Sequence, residues 1–179
     1  MVGGSVKDGW VMIRAARQAD AERIGTVHVR SWQAVYRGHF PQDFLDRLDP
    51  AERAKGWRAY LGKEMGERES LLVSEVDGGI AGFASSGPAR EGEDDEGEVR
   101  AIYLLPGYWG RGLGSELMAA SLHELAREGF TKAMLWVLEA NLGARSFYEA
   151  TGWSLADGAR IIEPFGFPIP ELRYVIALA

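Results

Sequence analysis

The stretch IYLLPGYWGRGLGS, residues 102–115, contains the pattern that decides the fold. It begins as a short apolar run, passes Pro106, and becomes a glycine-rich loop that leads directly into a helix-like sequence. Successive glycines let backbone N–H groups turn inward toward an anion, and the first turn of a helix adds partial positive charge. The stretch therefore predicts a strand–loop–helix unit that binds phosphate or pyrophosphate. The alternative is a helix start whose glycines serve only close packing.

Two common phosphate-binding motifs do not fit this loop. A P-loop requires Lys followed by Ser or Thr after its last glycine, but Leu113 follows Gly112. A dinucleotide fingerprint requires G-x-G-x-x-G after the first strand of its βαβ unit. Here the glycines stand at 110, 112 and 114, past the middle of the chain. A nucleotide hydrolase is therefore a weak hypothesis.

Hydrophobic periodicity and turn residues on either side of the loop predict the remaining elements. The strands are predicted at 10–14, 70–76, 80–86, 99–105, 133–138 and 172–178, and the main helices near 20–35, 50–61, 113–129 and 144–151. The order of strand, helices, three strands, helix, strand, helix, strand predicts an α/β layered domain with a mixed sheet. Residues 1–9 are predicted to be a flexible tail, and residues 10–179 a single domain.

Composition excludes several classes of function. The chain has 179 residues, 46% of them hydrophobic, with a formal net charge of −6 and no basic stripe, which argues against nucleic-acid binding. It contains no Cys, so a disulfide, a thiolate metal site and a cysteine nucleophile are excluded, in keeping with a cytoplasmic location. No apolar run reaches the ~20 residues that a membrane span needs. No His/Asp/Glu cluster has metal-ligand spacing, so we expect no metal.

Two sequence blocks resemble the GCN5-related N-acetyltransferase (GNAT) superfamily. Its pyrophosphate motif, Gln/Arg-x-x-Gly-x-Gly/Ala, matches WGRGLG (residues 109–114) at both glycines, with Trp109 in place of Gln or Arg. The block NLGARSFYEATGW, residues 141–153, is similar to the family's Asn-x-x-Ala-x-x-Phe-Tyr-x-x-x-Gly-Phe segment. Two blocks separated by the expected strand are far more specific than either block alone.

The resemblance implies a mixed, mainly antiparallel sheet flanked by helices, and transfer of an acetyl group from acetyl-CoA to a primary amine in a ternary complex. The amine is a small molecule, a peptide N-terminus or a lysine. A homodimer is also expected, with apolar contacts through the C-terminal strand and the loop before it, residues 163–168. The residues implied in acetyl-CoA binding are Ile102, Leu104, Trp109, Gly110, Arg111, Gly112, Leu113, Gly114, Ser115, Asn141, Ala144 and Phe147. Asn141 is also expected to cap the helix that follows it. The alternative hypothesis is a non-catalytic sensor or interaction module that binds acetyl-CoA.

Direct transfer requires one proton to leave the amine and another to reach the departing thiolate. An alkyl ammonium has a pKa of about 10.4, so its reactive neutral form is scarce at pH 7. Glu98, 11 positions before Trp109, is the predicted base, since some family members carry a Glu there; an ordered-water path or a merely acidic loop is the alternative. Tyr148, at the family's Tyr position, is the predicted acid that protonates the leaving thiolate, with core packing as its alternative.

The acceptor amine is expected to bind near the first helices. Trp32 and Tyr36 lie four residues apart and so share a helical face. The first helices shape the acceptor pocket in the GNAT superfamily, so the resemblance implies that these two residues form a wall of that pocket, although Trp32 also suits a core. Residues 91–98 carry six acidic side chains, which either attract a cationic amine or are simply solvated.

Overall fold

The structure is a computed structural model, which describes residues 3–6, 9–62 and 66–179. The strands are β1 (Gly3–Val6), β2 (Gly9–Ala15), β3 (Ser70–Val76), β4 (Gly79–Pro88), β5 (Glu96–Leu104), β6 (Lys132–Leu138), β7 (Ser154–Ile162) and β8 (Ile169–Ala177). The helices are α1 (Ala21–Val35), α2 (Gln42–Asp46), α3 (Pro50–Gly62), α4 (Leu113–Arg127) and α5 (Leu142–Ala150). Within the described ranges, no helix is both long and apolar enough to cross a membrane.

The described strands form one eight-stranded sheet in the order β1-β2-β3-β4-β5-β6-β8-β7. Neighbouring strands are antiparallel except for β5 and β6, which are parallel and joined through α4. Parallel strands need such a crossover, and the glycine loop with its helix provides it. The predicted mixed, mainly antiparallel sheet with flanking helices is therefore confirmed.

Helices cover both faces of this sheet. Helices α1 and α3 pack on one face, where Ile24, Val27 and Phe83 are fully or almost fully buried. Helices α4 and α5 lie on the other face, over a core that includes Leu125 and Tyr174. Alternate residues of one strand pack in the cores on opposite sides of the sheet, because successive side chains of a strand point to opposite faces.

Several parts of the chain differ from the expectation. Strand β5 begins at Glu96 rather than at residue 99, and the short helix α2 was not predicted. Strand β7 was not predicted, because its sequence SLADGARII lacks a clean alternation and it forms an exposed edge of the sheet. Strand β8 begins at Ile169, three residues earlier than expected. Within the predicted flexible tail, Gly3–Val6 pairs with β2 as a strand, while residues 1, 2, 7 and 8 lie outside the described residues.

Helices α1 and α3 approach each other closely at Gly25, and this contact leads to a testable prediction about stability. A Cβ on Gly25 would lie 2.6 Å from the carbonyl oxygen of Pro50 and 2.7 Å from the amide nitrogen of Ala54. Because both neighbours are backbone atoms, Gly25→Ala must push the helices apart, and we expect it to lower the free energy of unfolding by about 1–3 kcal/mol. Chemical denaturation monitored by circular dichroism measures this change.

Gly56 provides the matched control within α3. A Cβ there meets nothing within 4 Å, and the residue is exposed. Since alanine favours a helix over glycine by about 0.8–1 kcal/mol, Gly56→Ala should stabilise the protein. Equal effects of the two substitutions would contradict the close helix approach.

Candidate functional site

The central feature of the site is a cleft between β5 and β6. These strands pair only through Glu96, Gly97 and Glu98 of β5, which lie opposite residues 132–134 of β6. Beyond this short register β5 continues to Leu104 and β6 to Leu138, so the two strands diverge. The divergence leaves the backbone of β5 free to bind a ligand on its cleft side.

Ile102 and Leu104 direct their backbone groups into this cleft. The amide of Leu105 donates to the carbonyl of Ala81 on β4 at 2.9 Å. Because neighbouring residues of a strand turn their backbone groups to opposite sides, the amides of Leu104 and Ile102 point away from β4. The carbonyl of Leu104 accepts hydrogen bonds from Ser31 Oγ at 2.8 Å and from Trp109 Nε1 at 3.0 Å.

The glycine loop closes one end of the cleft. Gly112 is the N-cap of α4 with φ +85°, a left-handed conformation that favours glycine, and no side chain caps the first amides of the helix. Those amides lack intrahelical partners, so they form an anion-binding end. A Cβ on Gly114, two residues further on, would make only ordinary contacts, 3.5 Å from the Phe147 ring and 3.7 Å from Leu104.

One cavity of about 740 Å³ joins the glycine loop to the α1 end of the sheet. It brings together most of the residues expected to bind acetyl-CoA: Ile102, Leu104, Trp109, Gly110, Gly112, Gly114, Ser115, Asn141, Ala144 and Phe147. Leu113 lies instead in the core at 2% exposure, and the guanidinium of Arg111 lies over the Tyr108 ring. Trp109 is half exposed and holds the end of β5 through its indole N–H.

Asn141 is the N-cap of α5, as predicted. Its side-chain oxygen accepts a hydrogen bond from the amide of Ala144 at 3.1 Å. This cap satisfies one of the free amides at the start of the helix and fixes the direction in which α5 leaves β6. Asn141 also lines the cavity, so both parts of its predicted role are compatible with its position.

Tyr148 lies at the junction of the core and the cavity. Its ring packs against Phe147, Trp153 and Tyr174 at centroid distances of 5.5–6.2 Å, and the residue lines the cavity. Burial, followed by the nearby Tyr103 hydroxyl, raises the pKa of Tyr148 well above the usual value of a tyrosine. The phenol therefore keeps its proton at neutral pH, and no hydrogen bond occupies it within the described residues.

Glu98 lines the cavity but is held by Arg90. Its two carboxylate oxygens accept hydrogen bonds from Nε and Nη2 of Arg90 at 3.0 and 2.6 Å. Burial favours a higher pKa for Glu98, but the side-chain and backbone hydrogen bonds from Arg90 outweigh it and lower the pKa. Glu98 is therefore ionised at neutral pH and is a weak proton acceptor.

The acceptor end is lined by aromatic side chains of α1. Trp32 and Tyr36 both line the cavity, with Tyr36 stacked on Phe40 at a centroid distance of 4.5 Å. Burial raises the pKa of Tyr36 well above its usual value. His28 lies beneath them, stacked on Tyr103, and its Nδ1 accepts a hydrogen bond from Trp57 at 3.2 Å. Burial lowers the pKa of His28 to about 4, so this histidine is neutral.

The acidic segment 91–98 is mostly paired within the chain, although its residues 91–94 are also exposed to solvent. Ion pairs join Glu91 to Arg160, Glu93 to Lys132, Asp95 to Lys132, Glu96 to Arg173 and Glu98 to Arg90. These pairs hold the segment against β5–β8 and neutralise most of its charge. The segment is consequently a poor attractor for cations.

Several cavity residues were missed by the sequence analysis: Ser31, Arg90, Tyr103, Trp136, Arg160 and Glu171. Arg160 and Glu171 lie opposite each other on β7 and β8, so their pairing follows from a strand that the sequence did not predict. Their proximity could have been predicted only from the correct register of these two strands.

Residues 29–153 match the sequence pattern of the acetyltransferase (GNAT) family. An uncharacterized N-acetyltransferase, YuaI of Bacillus subtilis (strain 168), is 35% identical over 141 residues, which cover 78% of each chain. A mycothiol acetyltransferase of Streptomyces griseus is 35% identical over 129 residues, covering 69% of this chain and 39% of that protein.

Solved structures share the fold. The PaiA N-acetyltransferase of Thermoplasma acidophilum, in complex with coenzyme A, has a TM-score of 0.73 at 18% identity and covers 93% of this chain and 98% of its own. YncA of Salmonella typhimurium, a putative acetyltransferase with its cofactor acetyl-CoA, has a TM-score of 0.67 at 21% identity and covers 94% of both chains. Because the family match runs from α1 through the glycine loop to the end of α5, and a relative at 35% identity spans most of the chain, this protein belongs to the GNAT acetyltransferase family.

Proposed function

We propose that this protein transfers an acetyl group from acetyl-CoA directly to a primary amine. The observation that carries the proposal is the cleft between β5 and β6, which connects the glycine loop with an aromatic pocket in one cavity. A thioester placed in the cleft would be open to an amine from the α1 side. With no Cys in the chain, an acyl-cysteine intermediate is excluded.

The described residues fit acetyl-CoA. The uncapped amides at the start of α4 suit its pyrophosphate, and the backbone groups of Ile102 together with the amide of Leu104 suit the amides of its pantetheine arm. The amide of Leu104 is also placed to stabilise negative charge that develops on the acetyl oxygen. The coenzyme A and acetyl-CoA bound in PaiA and YncA support this assignment.

Tyr148 is our proposed general acid. A phenol that stays protonated at neutral pH is suited to donate a proton as the C–S bond breaks. The ion pair of Glu98 with Arg90 argues against Glu98 as the base. It favours the alternative in which a path of ordered water carries the proton away from the amine. Glu98 then serves to hold Arg90 in place.

Release of free thiol from acetyl-CoA, measured with a panel of amines across pH, tests the function. We expect kcat/KM to rise between about pH 6 and 9, because the amine must lose a proton and its pKa is about 10.4. Glu98 has a lowered pKa, so it is already ionised below this range, and Glu98→Gln should leave the slope unchanged. A loss of kcat beyond about 10² in Glu98→Gln would restore its role as base.

The same assay separates an enzyme from a sensor. Tight binding of acetyl-CoA without thiol release on any amine would support the non-catalytic alternative. The cavity-lining position of Tyr148 favours the enzyme, since a sensor has no need of a proton donor beside the thioester.

We further propose a homodimer that works in the cytoplasm. The expected contact surface moves to β7, because β8 is enclosed between β6 and β7 and Phe167 is partly buried in an aromatic cluster. The edge strand β7 exposes Leu155 and Ile161 by 54% and 68%. Such apolar side chains on an unpaired edge favour association. Sedimentation velocity at micromolar concentration measures the oligomeric state. For the location, the absence of Cys is in keeping with a reducing compartment such as the cytoplasm.

A further inference from the structure

The acceptor end of the cavity has a polar wall of two ion pairs, which we call the charge wall: Arg90, Glu98, Arg160 and Glu171. All four residues line the cavity. Arg90 binds Glu98 at 2.6 Å, and Nε of Arg160 binds Glu171 at 2.8 Å. The four residues come from β5, the segment before it, β7 and β8, so only the folded sheet assembles them.

The guanidinium groups cover the carboxylates of this wall. The side chain of Glu98 is 4% exposed whereas that of Arg90 is 62% exposed, and Glu171 is likewise less exposed than Arg160. The guanidinium of Arg160 lies 4.0 Å from the centre of the Trp136 ring, which fixes its plane. Among the described residues, Nη1 of Arg90 and Nη2 of Arg160 have no hydrogen-bond partner. Nη1 of Arg160 also lies 3.6 Å from the exposed carboxylate of Glu91, which does not line the cavity. A substrate in the cavity therefore meets N–H donors before it meets Glu98 or Glu171.

Apolar and aromatic side chains form the rest of this end of the cavity. Trp32, Tyr36, Ile162 and Phe165 all line it, and the rings of Trp32 and Phe165 pack edge to face at a centroid distance of 5.6 Å. This part of the cavity suits an apolar substituent on the acceptor.

The position of Glu98 links the charge wall to the reacting centre. Glu98 is the last residue of β5 that pairs with β6 before the strands diverge. The Arg90 guanidinium bound to it consequently lies beside the start of the cleft. An anionic group held by Arg90 would be only a few bonds away from an amine that enters the cleft.

We infer that the acceptor is a small primary amine that carries a carboxylate near the amine and an apolar substituent, as in an apolar amino acid. This inference rests on the proposed acetyl transfer and specifies its substrate class. A carboxylate gains charge-assisted hydrogen bonds from Arg90 and Arg160, which suit it geometrically. A diamine would instead bring a second positive charge against two guanidiniums, and it would have to displace them to reach Glu98 or Glu171.

Matched acceptors test the inference in the full-length protein. Thiol release is measured with leucine and phenylalanine, with their decarboxylated counterparts isoamylamine and phenethylamine, with putrescine, and with a peptide that has a free N-terminus. We expect kcat/KM for the amino acids to exceed that for the decarboxylated amines by about tenfold or more, the size of one charge-assisted hydrogen bond. Arg160→Gln and Arg90→Gln should each reduce this ratio by about tenfold, mainly through KM of the amino acid.

Arg127→Gln is the matched control. Arg127 is 59% exposed and pairs with Glu124 and Glu128 at the end of α4, outside the cavity lining. It should leave the ratio unchanged, and circular dichroism confirms that each variant is folded. Calorimetric titration of leucine into the CoA-bound protein provides a second readout that needs no turnover, with weaker binding expected in Arg160→Gln.

The outcomes distinguish this inference from the proposed function. Faster turnover of the decarboxylated amines, of putrescine or of the peptide would overturn the substrate class and leave acetyl transfer intact. An amino-acid preference that survives Arg160→Gln and Arg90→Gln would overturn the charge wall as its cause. Absence of thiol release with every acceptor would overturn the proposed function and this inference with it.

Discussion

Tyr148→Phe is expected to lower kcat by roughly 10²–10⁴ while the affinity for acetyl-CoA stays within a few-fold. The substitution keeps the ring, and with it the packing on Phe147 and Trp153, but removes the phenolic proton. A thiolate with a pKa of about 8.5 is a tolerable leaving group, so the smaller end of this range is expected. Because the lost interaction belongs to the transition state, kcat and kcat/KM should fall together. Steady-state thiol release at saturating acetyl-CoA and amine measures both.

Tyr174→Phe is the control for this experiment. Tyr174 belongs to the same core cluster, but its hydroxyl donates to Glu149 Oε1 at 2.7 Å and it does not line the cavity. Loss of the Tyr174 hydroxyl should lower the free energy of unfolding by about 1–2 kcal/mol and leave kcat unchanged.

Higher pH should partly rescue Tyr148→Phe, because the thiolate then departs more readily without a proton. An unchanged kcat in Tyr148→Phe would falsify the acid role and leave Tyr148 as a core residue.

Gly114→Glu should weaken CoA binding by roughly 10²-fold or more, because a carboxylate would stand beside the pyrophosphate and like charges in contact cost several kcal/mol. We expect the substitution to leave the fold intact. A Cβ at Gly114 makes only ordinary contacts with Phe147 and Leu104, and an acidic side chain in the first turn of α4 stabilises the helix through its dipole. Isothermal titration calorimetry with CoA measures the loss.

Two other glycines of the loop sharpen this prediction. Gly107→Ala should leave CoA affinity unchanged, since a Cβ there meets nothing within 4 Å and the residue does not line the cavity. Gly112→Glu should also weaken CoA binding, but it strains the backbone as well, since Gly112 has φ +85°. Gly114→Glu therefore isolates the effect on the ligand. Unchanged affinity in a folded Gly114→Glu variant would refute the phosphate assignment.

Local sequence signals were sufficient for most of the fold. Strand β3 was predicted with its observed bounds, and the hairpin turn at Asp77 and Gly78 has the positive φ values that Asp-Gly favours. Pro50 begins α3 and Gly112 directly precedes α4, as their residue types indicate. These features depend on interactions between residues that are close in the chain, so they can be predicted directly from the sequence. Strand β7 escaped prediction because an exposed edge strand has no buried face to impose alternation.

The sequence by itself determined the glycine loop, the cap at Asn141 and the placement of Tyr148 on the helix after β6, since each follows from local backbone chemistry or from motif spacing. Only the tertiary structure decided what surrounds Glu98. Arg90 reaches it across the turn before β5, and the hydrogen bonds from Arg90 make the Glu98 carboxylate a weak proton acceptor. The tertiary structure likewise decided the charge wall, since Arg160 and Glu171 meet through the register of β7 and β8. Side-chain charges far apart in the chain interact only after strand pairing sets their distance, and that distance determines both their pKa values and the ligand they can bind.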